Sequence, residues 1–341
     1  MITARRPAEW EPHKATVLAW PHNRDTWPGD RLHRVEAVFS KLLLRLCHDE
    51  PVWLLVADDR SQARAQAVLT NSPHASYVKI IPAQFNDMWV RDSGPIAVKY
   101  DERTTFLNFR FNSWGGKYPP WEQDDRLPVE IGELMNYPVQ NVPLTLEGGA
   151  IECNGKGTLI TTKSVLLHSN RNNGDKEVVE QQLKDVLGVE QIIWLAGGLA
   201  GDDTDGHVDD LVRFVDESTV VAVSATSKSD PNYEILQENN KRLKEAVNAD
   251  GSSLHIIELP MPETVSDEPT VDGNIHTPAS YANFYITNQS VLIPLYDERY
   301  DRQVLKLFED LFPERNVTGI EARDLVWGQG GFHCITQEIY I

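Results

Sequence analysis

The sequence is poor in cysteine, has no long hydrophobic run and has a shortage of basic side chains. Its 341 residues include only Cys47, Cys153 and Cys334, too few for a disulfide framework. The longest uninterrupted apolar run is Val52–Ala57, whereas a membrane-spanning helix needs about 20 such residues. The first residues lack the apolar core of a signal peptide. We therefore expect a soluble, cytoplasmic protein that does not enter a membrane.

Acidic side chains outnumber basic ones by 51 to 32, which gives a net charge of −19. A protein that binds nucleic acid would need Lys and Arg to meet the phosphates, so the charge argues against that class. A negative field would suit a small cationic ligand. Solubility alone is the simpler explanation, and on charge alone we favour it. With 41% hydrophobic residues, the chain can bury a large core and is not disordered.

Amphipathic helices alternate with short apolar strands, which indicates an α/β protein. The helical periodicity predicts helices over 33–48, 175–187, 231–248 and 301–312. The apolar runs that follow these helices predict strands at Val52–Ala57, Gln191–Leu195, Leu254–Leu259 and Asn316–Ile320.

Hairpin signals form a second, repeated series. They cover 94–109, 149–162, 207–224 and 282–295, and a last strand is expected over 334–341. The residues at the heads of these hairpins are Asp92, Glu147, His207, Asn283 and Cys334, at intervals of 55, 60, 76 and 51 residues. Five units at this spacing favour a closed ring that brings the heads toward one axis, although a mixed α/β sandwich fits the same pattern. No linker divides the chain, so we expect one domain over residues 1–341.

Asp92 and Glu147 each stand next to glycine. Gly94-Pro95 forces a turn after Asp92, which predicts that Asp92 lies at a strand end facing a cleft; an ion pair with Arg91 explains the same residues equally well. Two glycines after Glu147 would let something approach the backbone closely, but a simple turn is the commoner reason for such a tripeptide.

His207 and Asp209 are expected to begin a strand over 208–215 and therefore to share one face of it. A His beside a carboxylate can move protons, and the pair could equally bind a metal ion. For Asp202, Asp203 and Asp205 the simplest interpretation is a solvated acidic loop.

Cys334 directly follows a glycine-rich stretch, which is unusual for a core thiol and lets a substrate approach the sulfur. We interpret Cys47 and Cys153 as structural. His333 would point to the opposite face of a strand from Cys334, so His207 is the better partner. The aromatic segment 281–286 is expected to contribute packing more than chemistry.

The candidate site would then contain one thiol, one imidazole and three carboxylates. The three carboxylates would oppose ionisation of the thiol but would attract a cation. A guanidinium fits such a site, because it is planar, always charged and presents paired N–H donors to carboxylates. A bound cation would also favour the thiolate.

At these motifs the sequence closely resembles the family of agmatine deiminases and bacterial-type peptidylarginine deiminases, in the guanidine-modifying superfamily. The segments that carry the resemblance are spread in order along almost the whole chain: 7–13, 20–21, 86–95, 111–116, 146–149, 170–172, 206–209, 281–286 and 333–337.

The resemblance implies a five-bladed α/β propeller of the pentein type, with five pseudo-repeats around a central site and with no metal or cofactor. It implies that Cys334 is the nucleophile and His207 the general acid and base. Asp92 and Asp209 would clamp the guanidinium.

The resemblance also implies that Glu147 is the acid that contacts the substrate and supports His207. Trp89 and Trp114 lie in segments that resemble the wall of the pocket. The implied partner is a small cationic guanidino substrate, and a homo-oligomer is left open.

Departures from the family pattern concern the substrate more than the chemistry. The segment 329–332 reads Gln-Gly-Gly-Phe and Arg110 replaces an Asn of some relatives, and both are expected to border the far end of the pocket. The acids at 202, 203 and 205 favour agmatine, whose far end is an amine. The sequence thus predicts an agmatine deiminase. Within the family, the alternative substrate is peptidyl-arginine or free arginine. Two alternatives belong to other classes of protein: a polyamine-binding protein, and a metal-dependent amidohydrolase that would use His207, Asp209, Asp92 and Glu147.

Overall fold

The computed structural model describes residues 4–101, 103–262, 266 and 268–341. Over these residues the chain is a mixed α/β fold. The strands, numbered along the chain, are β1 Ala4–Arg5, β2 His13–Ala19, β3 Val52–Val56, β4 Val78–Pro82, β5 Ile96–Tyr100, β6 Arg103–Arg110, β7 Val139–Thr145, β8 Ile151–Cys153, β9 Thr158–Thr162, β10 Gln191–Leu195, β11 Val212–Phe214, β12 Thr219–Ser224, β13 His255–Pro260, β14 Tyr285–Ile286, β15 Ser290–Leu295, β16 Asn316–Glu321 and β17 Gln337–Tyr340.

Helices lie between these strands and cover them. They are α1 Arg31–Asp49, α2 Asp59–Leu69, α3 Val90–Ser93, α4 Ser113–Gly116, α5 Glu122–Met135, α6 Lys163–Leu166, α7 Lys176–Leu187, α8 Tyr233–Glu245, α9 Glu298–Leu311 and α10 Arg323–Val326. Short 3-10 turns occur at Ala75–Tyr77, Gly148–Ala150 and Val208–Asp210. Across the described ranges, no helix combines the length and apolar character needed to cross a membrane.

The strands of the described residues form five small sheets that share one plan. Their orders are β1-β5-β6-β7, β10-β9-β8, β11-β12-β13, β14-β15-β16 and β17-β2-β3-β4. In four of these sheets one strand pairs antiparallel with its hairpin partner and parallel with the strand that follows the next long helix. In the fifth sheet β2 pairs parallel with β3, which follows α1, and antiparallel with β17, which is distant in the chain. The pairing in the first four sheets follows from chain connection, because antiparallel strands can be joined by a short turn whereas parallel strands need a crossover.

The predicted helices and crossover strands are confirmed with small shifts of their ends. The cap prediction for α7 is correct: the side chain of Asp175 accepts a hydrogen bond from the backbone N–H of Val178, and Gly188 ends the helix with a φ of 67°, a conformation that glycine adopts without strain. Helix α9 begins earlier than expected, since Asp297 caps it. The apolar face of α1, including Val35, Phe39 and Leu42, is fully buried as predicted.

Two predicted strand starts are wrong. The segment that begins at Val208 is a 3-10 turn, and the ladder starts only at Val212. The last strand begins at Gln337 and not at Cys334. The predicted position of Asp92 is also wrong, because Asp92 lies in the single helical turn α3 and not at the end of a strand. In each case the functional residue stands just before its strand, where the backbone is free of ladder hydrogen bonds.

Candidate active site

Each of the five head residues that the sequence singles out precedes a strand of a different sheet. Asp92 precedes β5, Glu147 precedes β8, His207 precedes β11, Asn283 precedes β14 and Cys334 precedes β17. All five are buried. Contacts between them, described below, bring side chains from positions as far apart as 92 and 334 into one cluster.

Asp92 receives hydrogen bonds on both carboxylate oxygens. Trp114 donates from Nε1 to Oδ2 at 2.9 Å, and the backbone N–H of Gly149 donates to Oδ1 at 2.9 Å. The expected alternative, an ion pair between Arg91 and Asp92, does not form: Arg91 is directed to Glu338, at 2.8 Å. Burial raises the pKa of Asp92 to about 6, while the bond from Trp114 acts in the opposite direction.

The turn that carries Trp114 has an unusual backbone. Ser113 and Trp114 have φ values of 52° and 53°, and the two glycines that follow also have positive φ. Side chains other than glycine pay about 1–2 kcal/mol for this left-handed conformation. The turn is held by Asn112, whose side chain accepts from the N–H of Gly115 at 2.9 Å. The rest of the fold therefore holds Trp114 in place against Asp92.

His207 and Asp209 lie near one another although the strand expected to align them is absent. The 3-10 turn that replaces it still directs both side chains to the same place. A Cβ built on Gly149 would stand 2.6 Å from His207 Nδ1, 2.8 Å from Asp92 Oδ1 and 3.0 Å from Asp209 Oδ2. Only a glycine at this position leaves room for the three groups to face one another.

The ring of His207 is buried and almost without partners. Its Nδ1 lies 3.6 Å from Asp92 Oδ1, and within the described part of the chain neither ring nitrogen has a hydrogen-bond partner. Burial lowers the pKa of His207, opposed by the negative charge of Glu147. A neutral imidazole with free nitrogens can both accept and donate a proton to a bound molecule.

Glu147 is fixed by the guanidinium of Arg171, a residue to which the sequence assigned no role. Arg171 donates from Nε to Glu147 Oε1 at 2.6 Å, and the other oxygen of Glu147 lacks a hydrogen-bond partner among the described residues. Arg171 also binds Asp205, at 3.1 Å. The predicted link from Glu147 to His207 is therefore electrostatic in this structure.

Cys334 Sγ faces Asp209 and Asn283, which belongs to a segment expected to contribute packing more than chemistry. Asn283 donates from Nδ2 to Sγ at 3.1 Å and also to Asp210 at 2.8 Å, so segment 281–286 contributes a polar contact to the site as well as packing. Asp209 Oδ2 lies 3.8 Å from Sγ. An asparagine within an aromatic run is the one polar signal that could have revealed this contact.

The surroundings of the Cys334 thiol disfavour its ionised form. Burial raises the pKa of Cys334 well above its ordinary value, and the charges of Asp209, Asp210 and Asp92 raise it further. A cation placed among these carboxylates would reverse that electrostatic effect and favour the thiolate.

The strand argument predicted that His333 would point away from Cys334, and this prediction is wrong. Its Nδ1 lies 2.7 Å from Asp209 Oδ2, the same oxygen that faces the sulfur, and its Nε2 lies 2.8 Å from Glu9 Oε2. The prediction failed because residues 333 and 334 lie in a turn, where neighbouring side chains do not alternate.

The thiol opens onto a cavity of about 620 Å³. Of the predicted site residues, Asp92, Cys334, Trp89 and Trp114 line it. Both tryptophans are nearly buried, and Gly330 brings the chain so close to Trp89 that a Cβ there would stand 2.3 Å from the ring. The wall is thus built from flat apolar surfaces around a polar base.

The far part of the cavity carries more acid than base. The lining acids besides Asp92 are Asp25, Asp87, Asp124 and Asp203. The cations of the lining are Arg24 and Lys117, and Lys117 is bound to Asp205 at 2.7 Å.

Asp203 lines the cavity and accepts a hydrogen bond from Tyr118, and burial raises its pKa to about 7. Asp202 and Asp205 instead bind protein groups, so the solvated acidic loop is not what the structure shows. Of the positions expected to border the far end, Gln329 lines the cavity whereas Arg110 is exposed outside it.

The four residues proposed for a metal-dependent alternative do not present a common set of ligand atoms. Among the described residues, the group whose possible ligand atoms come within 4.8 Å of one another is Asp209, Asp210 and Cys334, which includes neither His207 nor Glu147.

Comparison with known proteins gives matches over nearly the full chain. The profile of the Porphyromonas-type peptidyl-arginine deiminases matches residues 5–339. A Marinomonas sp. protein named "Putative agmatine deiminase" is 35% identical, with 98% of this chain and 94% of that protein covered.

Two solved structures are similar in both sequence and fold. The agmatine deiminase of Enterococcus faecalis is 32% identical, with a TM-score of 0.90 over 99% of this chain and 96% of the other. The "Putative Arginine Deiminase" of Porphyromonas gingivalis is 36% identical, with a TM-score of 0.90 over 99% and 98%.

Proposed function

Because the chain belongs to the Porphyromonas-type peptidyl-arginine deiminase family, we propose that it hydrolyses agmatine to N-carbamoylputrescine and ammonia. The observation that carries the proposal is the buried contact of the Cys334 thiol with Asp209, which shares the space beside Gly149 with Asp92, at an acidic cavity lined by Asp92 and Cys334. Relatives at 34–35% identity bear the name of this activity, and so does the Enterococcus structure.

The guanidinium lies between Asp92 and Asp209, each of which accepts N–H bonds from it. The geometry supports this role because Gly149 leaves open the space that the two carboxylates and His207 face. Charge-assisted bonds to a planar guanidinium fix its orientation. Trp89 and Trp114 form the walls, and Trp114 also orients Asp92.

The first step is attack of Cys334 Sγ on the guanidinium carbon. The bound cation stabilises the thiolate, and the thiol proton is carried by His207 to the nitrogen that departs as ammonia. An S–C bond forms and a C–N bond breaks, which leaves an amidino-cysteine.

In the second step His207 takes a proton from water, whose oxygen attacks the same carbon. The S–C bond then breaks, the thiol is restored and the ureido product leaves. Glu147, fixed by Arg171, supports the positive charge that His207 carries within each step while it holds the transferred proton. In the second step His207 gives that proton back to Sγ, and the oxygen added to the carbon loses its own proton to solvent.

Agmatine fits the cavity better than arginine does. Its far end is an ammonium group, and Asp203 offers a carboxylate in the wall. A substrate carboxylate would need a cation; of the two in the lining, Lys117 is already paired with Asp205 and Arg24 is exposed, whereas five aspartates line the same cavity. Free arginine and peptidyl-arginine remain the alternative substrates, because the similar Porphyromonas structure is named a putative arginine deiminase.

The same proposal covers the architecture beyond the five sheets. We propose that the sheets close into a five-bladed α/β propeller of the pentein type and that residues 1–341 form one domain around the central site. The cytoplasmic location and a homo-oligomeric state also remain predictions from the sequence.

The function is tested by ammonia release from agmatine, free arginine and an arginine peptide. Wild-type protein should release ammonia fastest from agmatine, and Cys334→Ser should release none while keeping the far-ultraviolet circular dichroism spectrum of the wild type. Cys47→Ser, which changes a thiol in helix α1, is the matched control and should retain activity. Turnover by Cys334→Ser would refute the covalent mechanism, and faster release from arginine would refute the substrate.

The same assay separates the alternatives of another class. Activity that is lost with chelators and survives thiol alkylation would indicate the metal-dependent amidohydrolase. Tight binding of agmatine by the wild type without release of ammonia would indicate a polyamine-binding protein.

A further inference from the structure

His333 connects the candidate site to a buried ion network that the proposed reaction does not use. The side chain is 2% exposed and lies between two carboxylates, Asp209 at 2.7 Å and Glu9 at 2.8 Å. Glu9 is in turn held by Arg213, at 2.8 Å, with Arg91 at 3.5 Å.

The two distances determine how many protons the three side chains share. A nitrogen and an oxygen at 2.7–2.8 Å are in hydrogen-bond contact, and each contact needs one hydrogen. A carboxylate cannot donate, and a neutral imidazole can donate from only one nitrogen. The three groups therefore hold two protons: either His333 is an imidazolium, or it is neutral and one carboxyl is protonated.

The surroundings decide which carboxyl group carries the proton. Glu9 faces two cations, Arg213 at 2.8 Å and Arg91 at 3.5 Å. Asp209 instead faces other acids and the thiol, as well as these more distant arginines; the charged or titratable groups around it are Asp92, Asp202, Asp210, Cys334, Arg91 and Arg213. His207 approaches it from across Gly149.

The charged groups that face His333, other than the two carboxyls bonded to it, are Arg213, Arg91, Arg6 and Glu338. Three of these four are cations, which disfavours an imidazolium while the site is empty of substrate. Burial lowers the pKa of His333 well below its ordinary value, and burial together with Asp92 raises the pKa of Asp209 well above its own.

We propose that Asp209, His333 and Glu9 form a proton relay, in which His333 takes the proton of Asp209 when a guanidinium binds and returns it when the product leaves. In the transfer the O–H bond of Asp209 breaks and an N–H bond forms at His333 Nδ1. The Nε2–H bond stays intact and donates to Glu9 throughout. The relay keeps the same total charge: Asp209 gains a negative charge where it touches the substrate, and His333 gains the balancing positive charge between the two carboxylates.

The relay rests on the proposed function, since it needs a guanidinium at Asp209, and it explains how a buried carboxyl can clamp a cation without exchanging a proton with solvent. His333 is on this account a positioning residue that stores a proton and does not touch the substrate.

The proposal is tested by counting the protons released when agmatine binds. The count is made by titration calorimetry at pH 8 in two buffers of different ionisation enthalpy, on Cys334→Ser protein, which binds without turnover and has no thiol proton to lose. We expect close to no proton released with His333 present. With His333→Asn added, Asp209 must lose its proton to solvent, so about one proton should be released.

His13→Asn is the matched control. His13 is also buried, with one ring nitrogen 3.0 Å from Glu50 and the other 2.7 Å from the backbone oxygen of Glu9, but its bonds do not include Asp209. In the Cys334→Ser background this variant should release no more protons than the parent. Glu9→Gln tests the relay from its other end and should release an intermediate number, since the imidazolium loses its second carboxylate.

The outcomes separate the relay from the function. Equal proton release by the parent and by both His333→Asn and Glu9→Gln would overturn the relay while leaving the function in place. If His333→Asn does not fold, Glu9→Gln alone decides, and release no different from the parent overturns the relay. Failure of Cys334→Ser to bind agmatine would instead overturn the proposed function.

In the active enzyme the relay also predicts a change in pH dependence. His333→Asn should make the KM for agmatine fall about tenfold for each pH unit of increase below the Asp209 pKa, because binding then requires loss of one proton. His13→Asn should keep the slope of the wild type, and a parallel profile for His333→Asn would contradict the relay.

Discussion

At the scale of single residues, the shape of the site depends on the absence of a side chain at Gly149 as much as on the reacting groups. Gly149 occupies the point toward which His207, Asp92 and Asp209 converge, and its N–H binds Asp92. A side chain there would approach all three groups to within 3.0 Å and push them apart. The tripeptide that looked like a simple turn therefore defines the shape of the site.

Gly149→Ala should lower kcat/KM for agmatine by about 100-fold or more, since misplacing groups by about 1 Å costs that much. The measurement is steady-state ammonia release, with the melting temperature recorded alongside. Gly197→Ala is the matched control, because its added Cβ would meet nothing closer than 3.5 Å, and it should keep wild-type kinetics. Equal kinetics for the two variants would contradict the crowding argument.

We propose that Asp203 recognises the amine of the substrate, because it lines the cavity. Burial raises its pKa to about 7, so it becomes ionised as the pH rises through 7 and should then attract an ammonium group. The KM for agmatine should fall across that range in the wild type.

In Asp203→Asn the KM should be raised by about tenfold at pH 8 and lose this component of its pH dependence, since a charge-assisted bond is worth about 1.5–3 kcal/mol. Asp25→Asn, an exposed acid in the same cavity wall, serves as the control. Equal effects of the two substitutions would show that general negative charge, and not Asp203, recognises the amine.

At the scale of elements, the turn at 113–116 connects backbone conformation to chemistry. Its left-handed residues present the Trp114 N–H to Asp92, which lowers the pKa of a carboxyl that burial raises to about 6. Asp92 must be ionised to hold a cation, so the bond extends activity toward lower pH.

Trp114→Phe should move the acidic limb of the kcat/KM profile upward by about 0.7 pH, the equivalent of a lost hydrogen bond worth about 1 kcal/mol. The profile is measured from pH 5 to 8. Trp194→Phe removes a similar bond, from Trp194 to Glu180 at 2.7 Å in another sheet, and should leave the limb in place. A shift downward would contradict the role assigned to Trp114.

Regular elements could be predicted from the sequence, whereas the functional turns could not. Helix α7 has a periodic apolar face and a cap at each end, so local physics determines it. The turn at 208–210 resembles a strand because Val208 is followed by Leu211 and Val212, and only the register of the ladder with β12 shows where pairing starts. Asn283 and Arg171 were missed as contact residues because their partners, Cys334 and Glu147, are distant in the sequence.

At the scale of the whole molecule, buried acids make stability depend on pH. Burial raises the pKa to about 6 for Asp92 and to about 7 for Asp124, Glu152 and Asp203. The folded protein then binds protons that the unfolded chain releases near pH 4, so stability is lost as the pH rises toward 7. Glu338 acts oppositely: burial is outweighed by Arg91 and Arg6, which hold its pKa at about 2.

We expect the free energy of unfolding of the ligand-free protein to be greatest near pH 5, to fall between pH 5 and 7 and to level off above. Below about pH 4.5 it should fall again, as protonation weakens the pairs of Glu338. Urea unfolding across this range is the measurement. Asp124→Asn should make the decline toward pH 7 shallower, and a free energy that rises from pH 5 to 8 would contradict the prediction.

Strand β17 pairs with β2, although the two are separated by more than 300 positions in the chain. During translation, β2 leaves the ribosome more than 300 residues before its partner β17. Cys334 is made just ahead of that partner, so a nascent chain stopped before residue 334 has neither the proposed nucleophile nor the strand that pairs with β2. The order of synthesis therefore couples the appearance of reactivity to the completion of the fold.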